Sequence, residues 1–251
     1  MRSLKMSRLS KHPSLADQAY IILKRQIMYN ELKPGTVLHE RSVSEALGIS
    51  RTPIRDAFTM LENQGWIMKQ GTNKVVKPFT LQDLKEIVQI RMGIEEIILQ
   101  LAFEKFNKKN LAHFQYILSE MEAASHVTDN ALLFIEKDIN FHLYLAEICG
   151  NETIAAFFNT LCEKLIRSAV ISIENGHVLI DTRIHEHEEM LFAFEHKDYN
   201  AAHRLLKKHV HYWQESLGES FHFVQSTSEE TSNAVHGLTD RQFGQAGSEF
   251  R

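Results

Sequence analysis

Cysteine is nearly absent from the 251-residue chain. Cys149 and Cys162 form no Cys-x-x-Cys pair and lie in stretches of helical spacing, so reduced buried thiols are expected, not a disulfide or a redox centre. No apolar run approaches the roughly 18 residues that cross a bilayer, and the basic start Met1–Arg8 is not followed by an apolar signal core before Pro13. These absences argue against a membrane-spanning or secreted protein and make the cytoplasm the expected compartment. Proline occurs only at Pro13, Pro34, Pro53 and Pro78, and residues 80–223 contain none and only Gly93, Gly150, Gly176 and Gly218 as glycines. So long a segment without breakers, with apolar residues three and four apart, reads as an all-α antiparallel helical bundle. With 43% hydrophobic residues the chain can bury a core, and its length suits one or two domains.

Charge is unevenly distributed. Residues 1–78 hold 13 Lys and Arg against 6 Asp and Glu, a balance of +7, whereas residues 79–251 hold 15 against 26, a balance of −11. A basic head on an acidic body points to a polyanion partner for the head, because phosphate neutralisation supplies most non-specific affinity for nucleic acid. The expected organisation is a DNA-binding head over 10–78, a helical body over 79–223 and a disordered tail over 224–251, which is rich in Ser, Thr, Glu, Gln and Gly and shows no periodicity. No repeat of 20–50 residues is visible.

In the head, Ser14 is placed to cap a helix whose Leu15, Ala19, Leu23 and Ile27 share one face, and Pro34-Gly35 makes a turn. A short helix over about Ser42–Leu47 is expected to stop at Gly48 in the left-handed conformation. Ser50 then caps a third helix that tolerates Pro53 in its first turn. On that helix Ile54, Ala57, Phe58 and Leu61 form the apolar face, while Arg51, Thr52 and Arg55 gather at the N-terminal end. In a helix-turn-helix these are the residues that reach base edges, and arginine can bond guanine O6 and N7 with both arms of its fork. Gly65 ends the helix; Trp66 to Lys69, a turn at Gln70–Asn73 and Lys74 to Lys77 read as a two-stranded wing, with Lys69 and Lys74 near the phosphates.

The runs Leu32 to Glu40, Ala46 to Ala57 and Leu61 to Ile67 resemble the winged helix-turn-helix of the GntR family of bacterial regulators, and the resemblance covers residues 14–78. It implies DNA contacts from Arg41, Arg51, Thr52, Arg55 and Gly71. One departure is Asp56-Ala57-Phe58 where the family usually has Glu-Ala-Leu.

In the body, Asp138 and His142 are four apart and share a helical face with Phe134 and Leu145. His187 lies on a stripe with Met190, Leu191 and Phe194, and His209 on one with Ala202, Leu205, Leu206 and Trp213. Each histidine taken singly is also readable as a satisfied core residue. Together, one Asp and three His would suit a divalent ion such as zinc, nickel, cobalt or manganese with positions open for water or a ligand. His185, His196, His203, His211 and His222 read as solvated. Arg91 falls within the stripe Leu84, Ile87, Ile94, Ile98 and Leu101; either Glu95, one turn on, is its partner, or its guanidinium grips the carboxylate of an effector.

From about Leu81 to Trp213 the body resembles the FCD effector domain of the FadR subfamily. The pattern Asp138-x-x-x-His142, Gly150-Asn151, Glu186-His187, Asp198 and His209-Val210 is similar to its metal-binding branch. The resemblance implies one divalent metal on Asp138, His142, His187 and His209, and Arg91, Arg167 and Asn151 beside a small carboxylate effector. The function so implied is that of a homodimeric transcriptional regulator, a repressor acting on a pseudo-palindromic operator in double-stranded DNA, with no enzymatic activity and no membrane partner. Two alternatives stay open: a metal-dependent hydrolase or lyase, since an open Asp/His site can activate water, and a metal-free body holding a larger acyl ligand.

Overall fold

In the computed structural model, which describes residues 13–125, 131–174 and 183–212, the chain divides between Phe79 and Thr80 into two compact units. The first unit opens with α1 (Leu15–Met28), whose start carries a full capping box: the Asp17 amide donates to Ser14 Oγ at 3.1 Å and the Ser14 amide returns to Asp17 Oδ2 at 2.9 Å. Next come β1 (Val37–Leu38), α2 (Glu40–Leu47), α3 (Arg51–Asn63), β2 (Ile67–Gln70) and β3 (Asn73–Val76). Gly48 closes α2 at φ 65°, ψ 29°, the left-handed stop expected of it. Ser50 occupies the N-cap of α3 in extended conformation, but its side chain makes no cap hydrogen bond, contrary to the expectation from its residue type.

The expected two-stranded wing forms as the β2–β3 hairpin, and a third strand joins it. Val37 and Leu38 pair antiparallel with Val75 and Lys74, giving a three-stranded sheet in the order β1-β3-β2. Only two residues long, β1 has no periodicity to announce it. The β2–β3 hairpin turns on Gly71-Thr72 with φ 60° at Gly71 alone, the pattern of a type II′ turn. Ala19, Leu23 and Ile27 of α1, Ile54, Ala57, Phe58 and Leu61 of α3, and Trp66, Ile67 and Val76 form one core. The Tyr20 hydroxyl, at the edge of that core, donates to Gln64 Oε1.

The second unit is helical throughout its described residues: α4 (Leu81–Lys105), α5 (Lys108–Ser125), α6 (Ala131–Ile148), α7 (Glu152–Glu174), α8 (Arg183–Glu195) and α9 (199–212). Side chains that bond to nearby amides mark the starts: Thr80 and Asp83 form a capping box on α4, Asn107 accepts from Lys109 and Asn110, Asn151 from Ile154, and Asp198 from Ala201. The α6 helix packs on α4, α5 and α7, and Phe114, Phe134, Phe141 and Phe158 fill the interior. On α4 the buried stripe is turned slightly from the one expected. Ile94 and Leu101 are half-buried, while Arg91 and Glu95 are buried among Leu84, Ile87, Ile98 and Ala102. None of these helices is long and apolar enough to cross a membrane. Trp213 and the proposed tail 224–251 lie outside the described residues.

An added Cβ at Gly48 meets no atom within 4 Å, so a substitution there tests backbone conformation alone. Gly48→Ala is expected to destabilise the first unit by about 1–2 kcal/mol. The check is the urea midpoint followed by Trp66 fluorescence in a Trp213→Phe background.

Candidate nucleic-acid interface and metal centre

On the first unit, Arg51, Thr52 and Arg55 are exposed at the start of α3 because Ile54, Ala57, Phe58 and Leu61 turn the other face of that helix inward. Arg41 on α2, Lys69 on β2 and Gly71 at the hairpin tip are exposed as well. Several of these cations already hold carboxylates. Arg55 grips Glu40 with two arms, Nε to Oε1 at 3.1 Å and Nη2 to Oε2 at 2.9 Å, and this hydrogen-bonding keeps the Glu40 carboxyl below its usual range. Arg41 Nε donates to Glu45 at 2.8 Å. Lys74 is half-buried and tied to Glu62 on α3, which sets it apart from exposed Lys69 as a phosphate contact.

In the second unit, Asp138 and His142 project from α6, His187 from α8 and His209 from α9, and each is no more than 1% exposed. The His142 Nε2 lies 3.1 Å from His209 Nε2 and 3.3 Å from His187 Nε2. Asp138 Oδ1 stands 3.7 Å from His187 Nε2 and 3.8 Å from His209 Nε2, and donor atoms of all four residues lie within 4.8 Å of one another. With metal–donor bonds of about 2.0–2.2 Å, adjacent donors of a tetrahedral site stand about 3.3 Å apart. Little closure is needed for this array to hold one ion.

The far side of the rings strengthens the fit. His142 Nδ1 faces Glu95 Oε2 at 2.7 Å, and His209 Nδ1 faces Glu186 Oε2 at 2.9 Å. A carboxylate at Nδ1 draws the ring proton there and leaves Nε2 a lone pair. Two such lone pairs 3.1 Å apart repel unless a cation lies between them. A proton relieves one contact, whereas a metal ion serves every donor. Charge agrees in sign: Asp138, Glu95 and Glu186 are three carboxylates against buried Arg91 and, from the surface, Lys208, so negative charge is left over at a place where it is costly and a cation would offset it.

Arg91 is 1% exposed and its Nε donates to Glu95, the first of its two expected partners. Burial pushes the Glu95 carboxyl up, but Arg91 and His142 outweigh it and hold it at about 2. Of the three residues expected around an effector, Arg91 and Arg167 are both buried, on α4 and α7. Burial pushes Arg167 down to about 10 against the pull of Asp83. Asn151 is exposed and spends its Oδ1 on the Ile154 amide at 3.1 Å, as the cap of α7. Cys149 and Cys162 are free and buried, and burial raises the Cys162 thiol well above its ordinary value. Of the histidines read as solvated, His185 is exposed near Glu188 and Glu189, and His203 bonds Glu96 at 2.8 Å.

Residues 15–73 match the family described as bacterial regulatory proteins, gntR family, and residues 86–212 match the FCD domain. The chain belongs to the GntR family. It is similar to the transcriptional regulator YdhC of Bacillus subtilis, 25% identical over 77% of this chain and 84% of that one. It is also similar to the transcriptional repressor RspR of Escherichia coli, 25% identical over 80% and 87%. Among solved structures, E. coli McbR/YncC matches with a TM-score of 0.72 at 23% identity over 84% of this chain and all of that one, which shows the shared fold. The architecture is that of a GntR-type transcriptional regulator: a winged helix-turn-helix unit and an FCD unit, the domain types associated with DNA and with small-molecule effectors.

Within this GntR-family FCD unit, the roles of Glu95 and Glu186 beside the histidines were not anticipated. The available signals were a second charge on the buried stripe of α4, one turn after Arg91, and an acid immediately before His187. The Glu95 carboxyl, held at about 2 against an ordinary value of about 4.3, contributes stability above its unfolded value and loses it as pH falls toward 2. Glu95→Gln should therefore lower the stability of the second unit near pH 7 by up to about 3 kcal/mol. Melting curves from pH 7 to 3 should show that difference shrinking below about pH 4.5.

Proposed function

We propose that this protein is a homodimeric repressor of the FadR subfamily, cytoplasmic, whose winged unit reads a pseudo-palindromic operator, one half-site per subunit. The observation that carries this reading is the exposed cluster Arg51, Thr52 and Arg55 at the start of α3, backed by a complete apolar face and a winged sheet. Arg51 and Arg55 reach bases; Arg41, Thr52, Gly71 and Lys69 hold the backbone. Lys74 contributes less, because Glu62 already engages it. On DNA, Arg55 exchanges the Glu40 carboxylate for a guanine edge, a swap between acceptors that its two-armed geometry permits.

The FCD unit holds one divalent ion on Asp138, His142, His187 and His209, and the donor set favours zinc, nickel, cobalt or manganese. Bound there, the ion would supply open coordination positions for a small carboxylate metabolite, with Arg91 linked to the centre through Glu95 and His142. Effector binding acts on operator affinity only by favouring one state of the dimer over another. A hydrolase reading finds no support, since Glu95 and Glu186 are engaged by ring Nδ1 atoms, not poised as general bases. An acyl-chain reading is disfavoured by the cost of setting a hydrocarbon against buried charge.

The deciding experiment is selection of host genomic fragments by the purified protein at near-physiological salt, followed by sequencing; enrichment of one palindromic site is expected, and none with or without divalent metal overturns the reading. On that site, Arg55→Ala should lose about 1–3 kcal/mol of discrimination between operator and random duplex, whereas Lys69→Ala should weaken both alike. Metal analysis after mild purification should find one equivalent in the wild type and none in His187→Ala or His209→Ala.

A further inference from the structure

Two carboxylates stand directly behind the proposed metal ligands, on helices other than those whose histidines they touch. Glu95 of α4 faces His142 of α6 through Nδ1 at 2.7 Å, and Glu186 of α8 faces His209 of α9 through Nδ1 at 2.9 Å. Each contact does two things. A carboxylate beside Nδ1 favours the ring proton there, so that Nε2 is the donor atom, and it restrains the ring: His209 is held by a hydrogen bond to Glu186, His142 by a close ionic contact with Glu95 that lacks hydrogen-bond alignment. Both Glu95 and Glu186 are buried, 2% and 8% exposed. Glu95 is itself held on its far side by Arg91, which gives the chain Arg91, Glu95, His142. Lys208 reaches Glu186 from the surface at 3.9 Å.

We propose that Glu95 and Glu186 are the positioning residues of the metal centre, and that Arg91 acts on it through Glu95. The proposal rests on the metal-binding reading above and assigns residues outside its ligand set. Each carboxylate makes its imidazole a stronger donor while keeping the ring in place. The two differ in their own partners: Glu95 also accepts from buried Arg91, whereas Glu186 is reached from the surface by Lys208.

The test uses the full chain, with Co2+ as the probe and a chelator in competition. Glu95→Gln and Glu186→Gln are each expected to raise the Kd for Co2+ by about 10- to 100-fold and to shift the ligand-field bands of the bound ion. Glu96→Gln, one residue along α4 but exposed and bonded to His203, is the control and should match the wild type. Glu186→Gln decides the matter if Glu95→Gln fails to fold, because Glu186 lies nearer the surface. Wild-type affinity in Glu186→Gln, or weaker binding with unshifted bands, overturns the proposal while the metal reading stands. Absence of Co2+ binding by the wild type overturns both.

Discussion

Imidazole nitrogens that converge inside a protein need something positive between them. In the FCD unit that requirement falls on Nε2 atoms contributed by α6, α8 and α9, the closest pair 3.1 Å apart. Around them the bundle is built to be dry: Phe141 meets the His187 ring edge-on at 4.4 Å between centroids, and Met190, Leu206 and Val210 are buried. In such surroundings the charge of Asp138 cannot be left to water. The carboxylates behind the rings and the guanidinium behind Glu95 extend the same constraint outward to α4. A cation at the centre would join α6, α8 and α9 through its ligands and reach α4 through Glu95, and its binding energy would then also be packing energy for the bundle.

The winged unit solves the opposite problem. The cations proposed to meet phosphates and bases stand on the surface, where an ion pair is worth little and is easily exchanged. Glu40 and Glu45 accept from Arg55 and Arg41 while both arginines remain exposed. Such pairs orient a side chain without committing it. Lys74 differs because its position on the central strand β3 brings it against Glu62 of α3. One unit thus keeps its charges exchangeable, and the other keeps them buried and mutually compensated.

Much of this was legible in residue order. Capping at Ser14, the left-handed stop at Gly48, the apolar face of α3 and the spacing of Asp138 and His142 are local signals, each set by neighbours within about one helical turn. Local signals also misled. Ser50 had the right residue type for a cap but makes no cap bond. The strand β1 escaped notice because two residues carry no alternation, and its existence depends on pairing with Val75 and Lys74 far along the chain.

What the sequence alone determined is the helical character of the second unit, the helix-turn-helix order of the first and the residue types able to bind DNA or metal. All of these follow from periodicity, breakers and charge, which act over a few residues. The tertiary structure alone decided which groups meet: that His142, His187 and His209 share one centre with Asp138, that Glu95 and Glu186 stand behind two of the rings, and that Arg91 is spent on Glu95. His142 and His209 are 67 residues apart. Their contact arises from how separate helices pack, and helical periodicity says which face is buried without saying what it is buried against.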